Sequence, residues 1–513
     1  EDTIEIISGQ YGETVDLAHL PQNDPVVYDC LQKADTVGLF QVESRAQMSC
    51  LPRLRPTHFY DIVVEVAIIR PGPIVGQMVN PYLERRQGRA PVSYPHPSLE
   101  PVLERTLGVP LFQEQLLRIA MVVASFSGGE AEELRRAMGF KRSEKRMREI
   151  EAKLRAGMTR NGITAASQEE IILAITSFAL YGFPESHAAS FALIAYASAY
   201  LKCHYLAAFT AALLNNQPMG FYHPSTVVKD AQRHGLKMLP ADVTRSEWNC
   251  TLEVTGGAAS ASSGLAVRLG LRYARGLHEA SAGALVAQRK LGAFRSIRDL
   301  VYRVPELRHD QLRTLASIGA LNEIPVAESE EAVAPLRGAK LHRRDALWQV
   351  ERAVRRAGPL LDPMAEPDFK SPLQAMDAEE RLQADFHGTG LTVGPHPMSY
   401  HRATLRAKRI RSASELNQLP SGMQLRVAGC VIARQRPGTA KGFVFLSLED
   451  ESGVSNAIIH PELFQKHRLL ITTEPFLMVE GILQNQGNVI SVQARRVEAL
   501  SITQAVTTSH DFH

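Results

Sequence analysis

The stretch YGFPESHAASFAL, residues 181–193, places Tyr181, Phe183 and His187 on a proline-bearing turn directly ahead of a long apolar helix. His187 falls at the start of that helix, where unpaired backbone N–H groups and the helix dipole favour an anion. A hydrogen-bonded structural histidine is the commoner occupant of such a position. The turn alone therefore leaves anion binding and packing both open.

Charge points the same way from elsewhere in the chain. Residues 134–160, LRRAMGFKRSEKRMREIEAKLRAGMTR, hold ten Lys or Arg (Arg135, Arg136, Lys141, Arg142, Lys145, Arg146, Arg148, Lys153, Arg155, Arg160) against Glu144, Glu149 and Glu151, a local surplus of seven positive charges. A second run, HRATLRAKRIR over 401–411, has five basic residues and no acid. Such clusters concentrate positive potential where phosphates bind without sequence readout. One cluster alone would be read as a solvated helix face; two favour a polyanion. The segment GLRYARGLHEASAGALVAQR, 270–289, reads as a helix, a short hairpin at Arg275, Gly276 and Leu277, and a second helix from near Glu279, a helix-hairpin-helix grammar. Its hairpin amides and helix N-terminus can hold a DNA phosphate without a cation. His278 stands where a second glycine is common. Residues 294–321 repeat the grammar as a unit that packs.

The elements that must position these groups follow from composition and periodicity. A chain of 513 residues has room for roughly three or four domains. Its 57 Lys+Arg against 54 Asp+Glu leave a net charge of only +3, so local charge decides the partner. Cys30, Cys50, Cys203, Cys250 and Cys430 lack the paired spacing of a zinc site and the density of a secreted scaffold, favouring a reduced, cytoplasmic compartment. The apolar run 189–214 is broken at its centre by Lys202, Cys203 and His204, which marks a buried helix rather than a membrane span. Residues 1 to about 250 read as mostly helical, 253–266 as a small-residue loop between domains, 267–322 as short helices, and 323–420 as a charged, proline-containing connection. From Gln424 the period becomes strand-like, and five strands with a helix between the third and fourth predict an OB-type barrel, a frequent binder of single-stranded nucleic acid.

Five longer motifs stand in one order: GLFQVESRAQM (38–48), AIIRPGPIVGQMVNPYLERRQG (67–88), LFQEQLLRIA (111–120), LRRAMGFKR (134–142) and YGFPESHAASFALIAYASAYLKCHY (181–205). That order resembles the fingers of the bacterial C-family DNA polymerases, the α-subunit type, and the likeness continues through ADFHGTGLTVGPHPM (384–398) into the barrel. Within the family the wording of residues 68–88, and a chain that stops soon after the barrel, resemble the error-prone, damage-inducible branch rather than the replicative one.

The resemblance implies a mainly α, multidomain fold with a C-terminal OB barrel: fingers over 1–252, helix-hairpin-helix over 253–322, a connection over 323–420, the barrel over 421–505 and a tail over 506–513. It implies that Arg70 on the RPGP turn and His187 hold the nucleotide triphosphate, Arg70 because a guanidinium takes two phosphate oxygens at once, and that Tyr181 stacks near the base. Arg135, Arg136, Lys141 and Arg142 would serve the nucleotide or the template backbone, and Arg275 and Gly276 a DNA phosphate. Polymerisation in the family is two-metal phosphoryl transfer, with Mg²⁺ on palm aspartates. Those motifs fall upstream of Glu1, which is not a Met, so this chain is expected to be part of a longer product and inactive alone. The PDF at 367–369 is read as coincidence, and no histidine is assigned to the family's N-terminal metal domain. The partners implied are primer-template DNA, deoxynucleotides, single-stranded DNA at the barrel and accessory mutasome proteins. Direct sliding-clamp binding is expected to be weak or absent, because QADFHG at 383–388 only superficially resembles a clamp peptide and RRDALWQVE at 343–351 has no leading glutamine. The rival is a non-catalytic DNA-binding scaffold derived from such a polymerase.

Overall fold

A computed structural model describes residues 1–69, 75–139, 144–178, 183–255, 264–325, 341–354, 371–487, 489–500 and 510–512. The chain forms two compact units, one of residues 16–204 with 487–489, the other of 1–15, 205–486 and 490–513. The fold is mainly helical and ends in a closed β-barrel.

Short polar motifs begin several helices of the unit around 16–204. Asp24 accepts from the backbone N–H of Val26 at 2.8 Å and starts the helix Pro25–Gln32, with Pro25 in the first turn where no N–H is needed. Ser44 and Gln47 form a reciprocal capping box on Arg45–Leu54. Asp61 accepts from the N–H groups of Thr57 (2.8 Å) and His58 (3.1 Å) and from Arg86 (2.7 Å), so an arginine of the YLERRQG motif is structural. Gln115 explains the LFQEQ motif in the same way. Its Oε1 accepts from Leu111 and Phe112, while its Nε2 donates to Thr106 Oγ1 and Val102 O, satisfying a buried amide completely. The helix that Gln115 begins, Gln113–Ala124, packs into an apolar cluster including Leu116, Ile119, Val123, Leu154 and Ile171.

The second unit opens on Asp2–Tyr11 and resumes at residue 205. The apolar run 189–214 is two helices, Glu185–His204 and Leu206–Asn215, parted at Tyr205, whose φ of −133° and ψ of 47° leave helical space. Among the described residues no helix is long and apolar enough to cross a membrane. A three-stranded sheet, absent from the sequence-based expectation, lies just before the hairpin region: Leu265–Arg268 runs centrally, parallel to Lys237–Leu239 and antiparallel to Thr251–Val254. Strands of three and four residues are too short for a period-2 signal to register. The small-residue segment thus joins two strands of one sheet, and its centre lies outside the described residues. The first helix of the expected hairpin unit is only a 3₁₀ turn, Leu271–Tyr273; the second, Glu279–Leu291, begins where expected. One core carries this region, from Ala211 and Val228 through Val267, Leu285, Ile297 and Leu315 to Val350 and Leu391.

The barrel is built as its alternation predicts. Gln424–Gln435 pairs antiparallel with Val444–Asp450 on one side and with Phe476–Gln486 on the other; Gly453–Ile459 and Val489–Ala499 complete the ring. The helices Pro461–Lys466 and Arg468–Thr473 fill the interval between the third and fourth strands. Among the described residues, two short strands, Ile410–Arg411 and His510–Phe512, add in parallel to the first strand of the closed ring. Two glycines let the strands approach. A Cβ on Gly429 would sit 2.7 Å from the Glu449 carbonyl oxygen, and one on Gly481 would press closer still on that of Gln493. Gly481→Ala is therefore expected to cost about 1–3 kcal/mol, through strand displacement. Gly438→Ala, which meets nothing within 4 Å, should be near neutral. Chemical denaturation followed by the barrel's circular dichroism checks the pair, and equal midpoints would contradict it.

Candidate nucleotide and nucleic-acid site

Of the residues the sequence offers as nucleotide ligands, Arg70 and Tyr181 lie outside the described residues. His187 is described, and it is exposed. Its ring sits between two phenylalanines of its own segment, 5.1 Å from Phe183 edge-on and 4.2 Å from Phe191. Phe191 in turn meets Phe40 at 5.4 Å, so the turn presents a short aromatic row. Among the described residues no hydrogen-bond partner of the His187 ring is found. The turn itself is fixed from below: Phe183 O accepts from the N–H of Gln113 (3.1 Å), and the N–H of Glu185 donates to Glu114 Oε2 (2.9 Å). Glu185, the acid in the first helical turn, accepts from Tyr60 OH at 3.0 Å and faces Arg105 at 3.6 Å, while the Arg105 guanidinium lies 3.8 Å over the Tyr60 ring. Burial first, and then the Glu185 charge, push the Tyr60 hydroxyl upward. The Glu185 carboxylate is thus neutralised beside the helix start. The arrangement holds an exposed imidazole and an aromatic surface at a helix N-terminus, a combination suited to a phosphate and an adjoining base.

The cationic runs are less free than their sequence implies. Arg135 and Arg136 are both exposed, yet both bind Glu132: Arg135 grips it through two hydrogen bonds and Arg136 lies 3.3 Å away. The Arg135 hydrogen bonds hold Glu132 down to about 2. Arg155 joins Glu151 and Glu169, and Lys153 faces Glu130 at 3.9 Å. Lys141 and Arg142 lie outside the described residues. In the 401–411 run, Arg402 turns inward onto Asp450 (3.0 Å) and Glu451 (2.9 Å), and Arg411 meets Glu415 at 3.4 Å. Arg406, Lys408 and Arg409 remain exposed, with no acidic partner among the described residues.

The hairpin unit also spends part of its apparatus internally. Gly276 has a φ of +78°, as a tight hairpin requires. However, the Arg275 N–H donates to Gly388 O at 2.7 Å and its guanidinium to His387 O at 3.2 Å, so Arg275 closes the end of the helix Ala378–Thr389. What remains for a phosphate is the start of Glu279–Leu291, where His278 makes no side-chain cap and its ring meets Arg308 at 3.1 Å. The QADFHG peptide lies inside Ala378–Thr389, with Phe386 buried.

Residues 1–162 match the bacterial DNA polymerase III alpha subunit finger domain, and 235–330 match a helix-hairpin-helix motif. An error-prone DNA polymerase of Anaeromyxobacter sp. (strain K) is 47% identical over 97% of this chain and 43% of its own length. Residues 1–162 are thus a finger domain of the bacterial DNA polymerase III alpha type. Error-prone DNA polymerase 2 of Rhizobium meliloti (strain 1021) is 43% identical over 97% of this chain and 45% of its own length, and the error-prone DNA polymerase of Methylococcus capsulatus (strain ATCC 33009 / NCIMB 11132 / Bath) is 44% identical over 98% and 48%. The chain thus spans less than half the length of these relatives. A solved asparaginyl-tRNA synthetase from Pyrococcus horikoshii overlaps 19% of the chain at 22% identity with a TM-score of 0.16, too slight to bear on the fold.

Two interior charge sites of this chain carry no sequence signal. Glu65, on the buried helix Phe59–Ile68, has neither carboxyl oxygen hydrogen-bonded, and burial pushes it up to about 8. It reads in sequence as one acid within an apolar run. The other is Glu449 in the barrel's second strand, met by Arg233 at 2.9 Å and by His396 at 3.7 Å. Burial opposes its charge, but the His396 hydrogen bond and the Arg233 guanidinium together hold it below the usual carboxylate range. Beside this pair lies a cavity of about 440 Å³ lined by Lys229, Gln232, Arg233, His396 and Glu451. Burial lowers the Lys229 ammonium to about 8 as its Nζ donates to Gln232 Oε1 (2.8 Å) and Gly394 O (2.5 Å).

Glu65 makes stability depend on pH in a definite direction. Unfolded, it ionises near 4.5; folded, it keeps its proton to about 8, so the folded chain holds one proton more between those values. Its contribution is fully present below 4.5, declines as pH rises by roughly 1.4 kcal/mol per unit, and levels off above 8. Denaturation of wild type and Glu65→Gln across pH 5 to 8 should show the wild type losing ground steadily to the variant. Parallel profiles would contradict a neutral buried Glu65.

Proposed function

We propose that this chain is the fingers, helix-hairpin-helix and OB-barrel portion of an error-prone, DNA-directed DNA polymerase, used in damage-induced mutagenesis and translesion synthesis rather than as the main replicative enzyme. The observation that carries this reading is the 47% identity to a relative named error-prone DNA polymerase along 97% of the chain. Within it, residues 1–252 serve as fingers, 253–322 as the DNA-holding hairpin region, 323–420 as the connection, and 421–505 as the barrel that takes single-stranded DNA.

In this mechanism the incoming nucleotide meets the turn at 183–191. His187, exposed and at a helix start, donates to a triphosphate oxygen; Arg70 grips the same triphosphate, and Tyr181 stacks beside the base. The row of Phe183, His187, Phe191 and Phe40 gives that base an apolar, aromatic surface without hydrogen-bond readout, a chemistry tolerant of damaged templates. Arg135, Arg136, Lys141 and Arg142 meet the template backbone, the first two by exchanging Glu132 for phosphate. Mg²⁺ supplies charge stabilisation for phosphoryl transfer in the whole polymerase. The neighbourhood of His187 does not fit that ion, because Glu185 is already engaged with Tyr60 and Arg105, so the metal belongs to the palm aspartates of the longer product. With five free thiols, the chain suits a reduced cytoplasm, and recruitment runs through accessory mutasome proteins rather than by direct binding to the clamp.

Primer extension by the longer product carrying this chain, on undamaged and abasic templates, tests the reading. Wild type should extend primers with Mg²⁺ and stop on its removal. His187→Ala should raise the deoxynucleotide KM about tenfold, equivalent to one charge-assisted hydrogen bond, with melting temperature unchanged because the ring is exposed. Unaltered KM would return His187 to packing, and a longer product that binds DNA yet never extends a primer would establish the scaffold reading instead.

A further inference from the structure

The fingers unit contains a pair of thiols whose surroundings are arranged for oxidation. Cys30 lies on Pro25–Gln32 and is buried; Cys203 lies near the end of Glu185–His204 and is partly exposed. The two helices are clamped together on either side of the pair. At one end His204 Nε2 meets Asp24 Oδ2 at 2.7 Å, and the Asp24 N–H donates to Tyr196 OH at 3.2 Å. At the other end Lys202 Nζ donates to Asp35 Oδ1 at 2.9 Å and to Val37 O at 3.2 Å. Between these clamps the Cys30 thiol donates to Asp35 O at 3.2 Å, and Cys203 Sγ lies 3.9 Å from Val26 O, the carbonyl one helical turn before Cys30. Asp35 O also accepts from Lys202 Nζ at 3.3 Å, so the Cys30 thiol and the residue next to Cys203 share one carbonyl.

The pair is asymmetric. The neighbouring Cys203 thiol, and then burial, raise Cys30, whereas the neighbouring Cys30 thiol lowers Cys203, helped by the Lys202 ammonium. A partly exposed sulfur with thiolate character is the one an oxidant attacks, and an adjacent protonated thiol is what resolves the product.

We propose that Cys203 and Cys30 form an oxidative modification site that staples the helix Pro25–Gln32 to the helix Glu185–His204. Cys203 thiolate attacks hydrogen peroxide, forming an S–O bond and breaking the O–O bond; with one proton taken up, the products are a sulfenic acid and water. Cys30 sulfur then attacks the sulfenic sulfur, its proton leaving with the hydroxyl as a second water, and the disulfide forms. Two thiols are oxidised by two electrons and one peroxide is reduced. A disulfide between two helices already clamped at both ends requires little backbone movement. It ties the helix that begins at Glu185, and so carries His187, to residue 30 across a chain separation of 173 residues.

The test uses the full encoded protein, treated with hydrogen peroxide, alkylated, and digested without reductant. Mass spectrometry should find a Cys30–Cys203 peptide two hydrogens lighter than the sum of its parts, abolished by dithiothreitol, with Cys203 consumed about tenfold faster than Cys50, Cys250 or Cys430. In Cys30→Ser the sulfenic acid should persist at Cys203 and take up dimedone; in Cys203→Ser Cys30 should stay reduced. Oxidation of Cys203 straight to sulfinic acid without the linked peptide, or at the pace of the three buried thiols, would overturn the site. Neither readout depends on polymerase activity.

Discussion

A carboxylate placed inside the barrel wall governs how the second unit is put together. Glu449 stands on a strand whose neighbours pack an apolar core, and an isolated charge there would be prohibitively expensive. It is tolerated because Arg233 arrives from Pro224–Arg233 and His396 from the GPHP turn at 394–397. Arg402 repeats the device one residue on, against Asp450 and Glu451. The barrel is thereby tied by charge to the helices before it, and removing one partner would leave the other buried and unpaired. Lys229 and Gln232 extend the same network by donating to the carbonyls of Gly394 and Val393.

The same economy divides the basic residues into two populations. Arg86, Arg233, Arg268, Arg275 and Arg402 satisfy interior carboxylates, strand pairs or helix ends. Arg406, Lys408 and Arg409 face solvent, while Arg135 and Arg136 stand at the surface on a shared glutamate that phosphate could displace. Surface pairs of that kind contribute little to stability, so exchanging Glu132 for a phosphate is energetically cheap.

Sequence disclosed the parts whose signal is periodic or long. The barrel was legible because its strands run seven to twelve residues, either almost wholly buried, as in Gln424–Gln435, or alternating inward, as in Gly453–Ile459. The motif order disclosed the family because five motifs recur in one order along the fingers. The three-stranded sheet was not legible, since Lys237–Leu239 and Leu265–Arg268 are too short for a period, and the first hairpin helix shrank to a 3₁₀ turn at Leu271–Tyr273. At the site, exposure of His187 was visible only once Phe183 and Phe191 flanked it. The inward turn of Arg402 depended on acids 48 and 49 residues away, and the approach of Cys203 to the helix of Cys30 on a helix far away in the chain. Long-range pairing leaves no trace in local spacing, which is why charge counts overstated the exposed positive surface.

The division of cations is tested most directly by the salt dependence of binding to primer-template DNA, measured with the full encoded protein. Replacing Arg406, Lys408 and Arg409 together by glutamine should lower the slope of log affinity against log salt by about 2, near 0.7–0.9 for each phosphate no longer neutralised, with the melting temperature unchanged. Arg402→Gln should lower the melting temperature and leave the slope as it was. If Arg402→Gln flattens the slope while the triple variant does not, the charges that meet DNA are not those the structure leaves exposed.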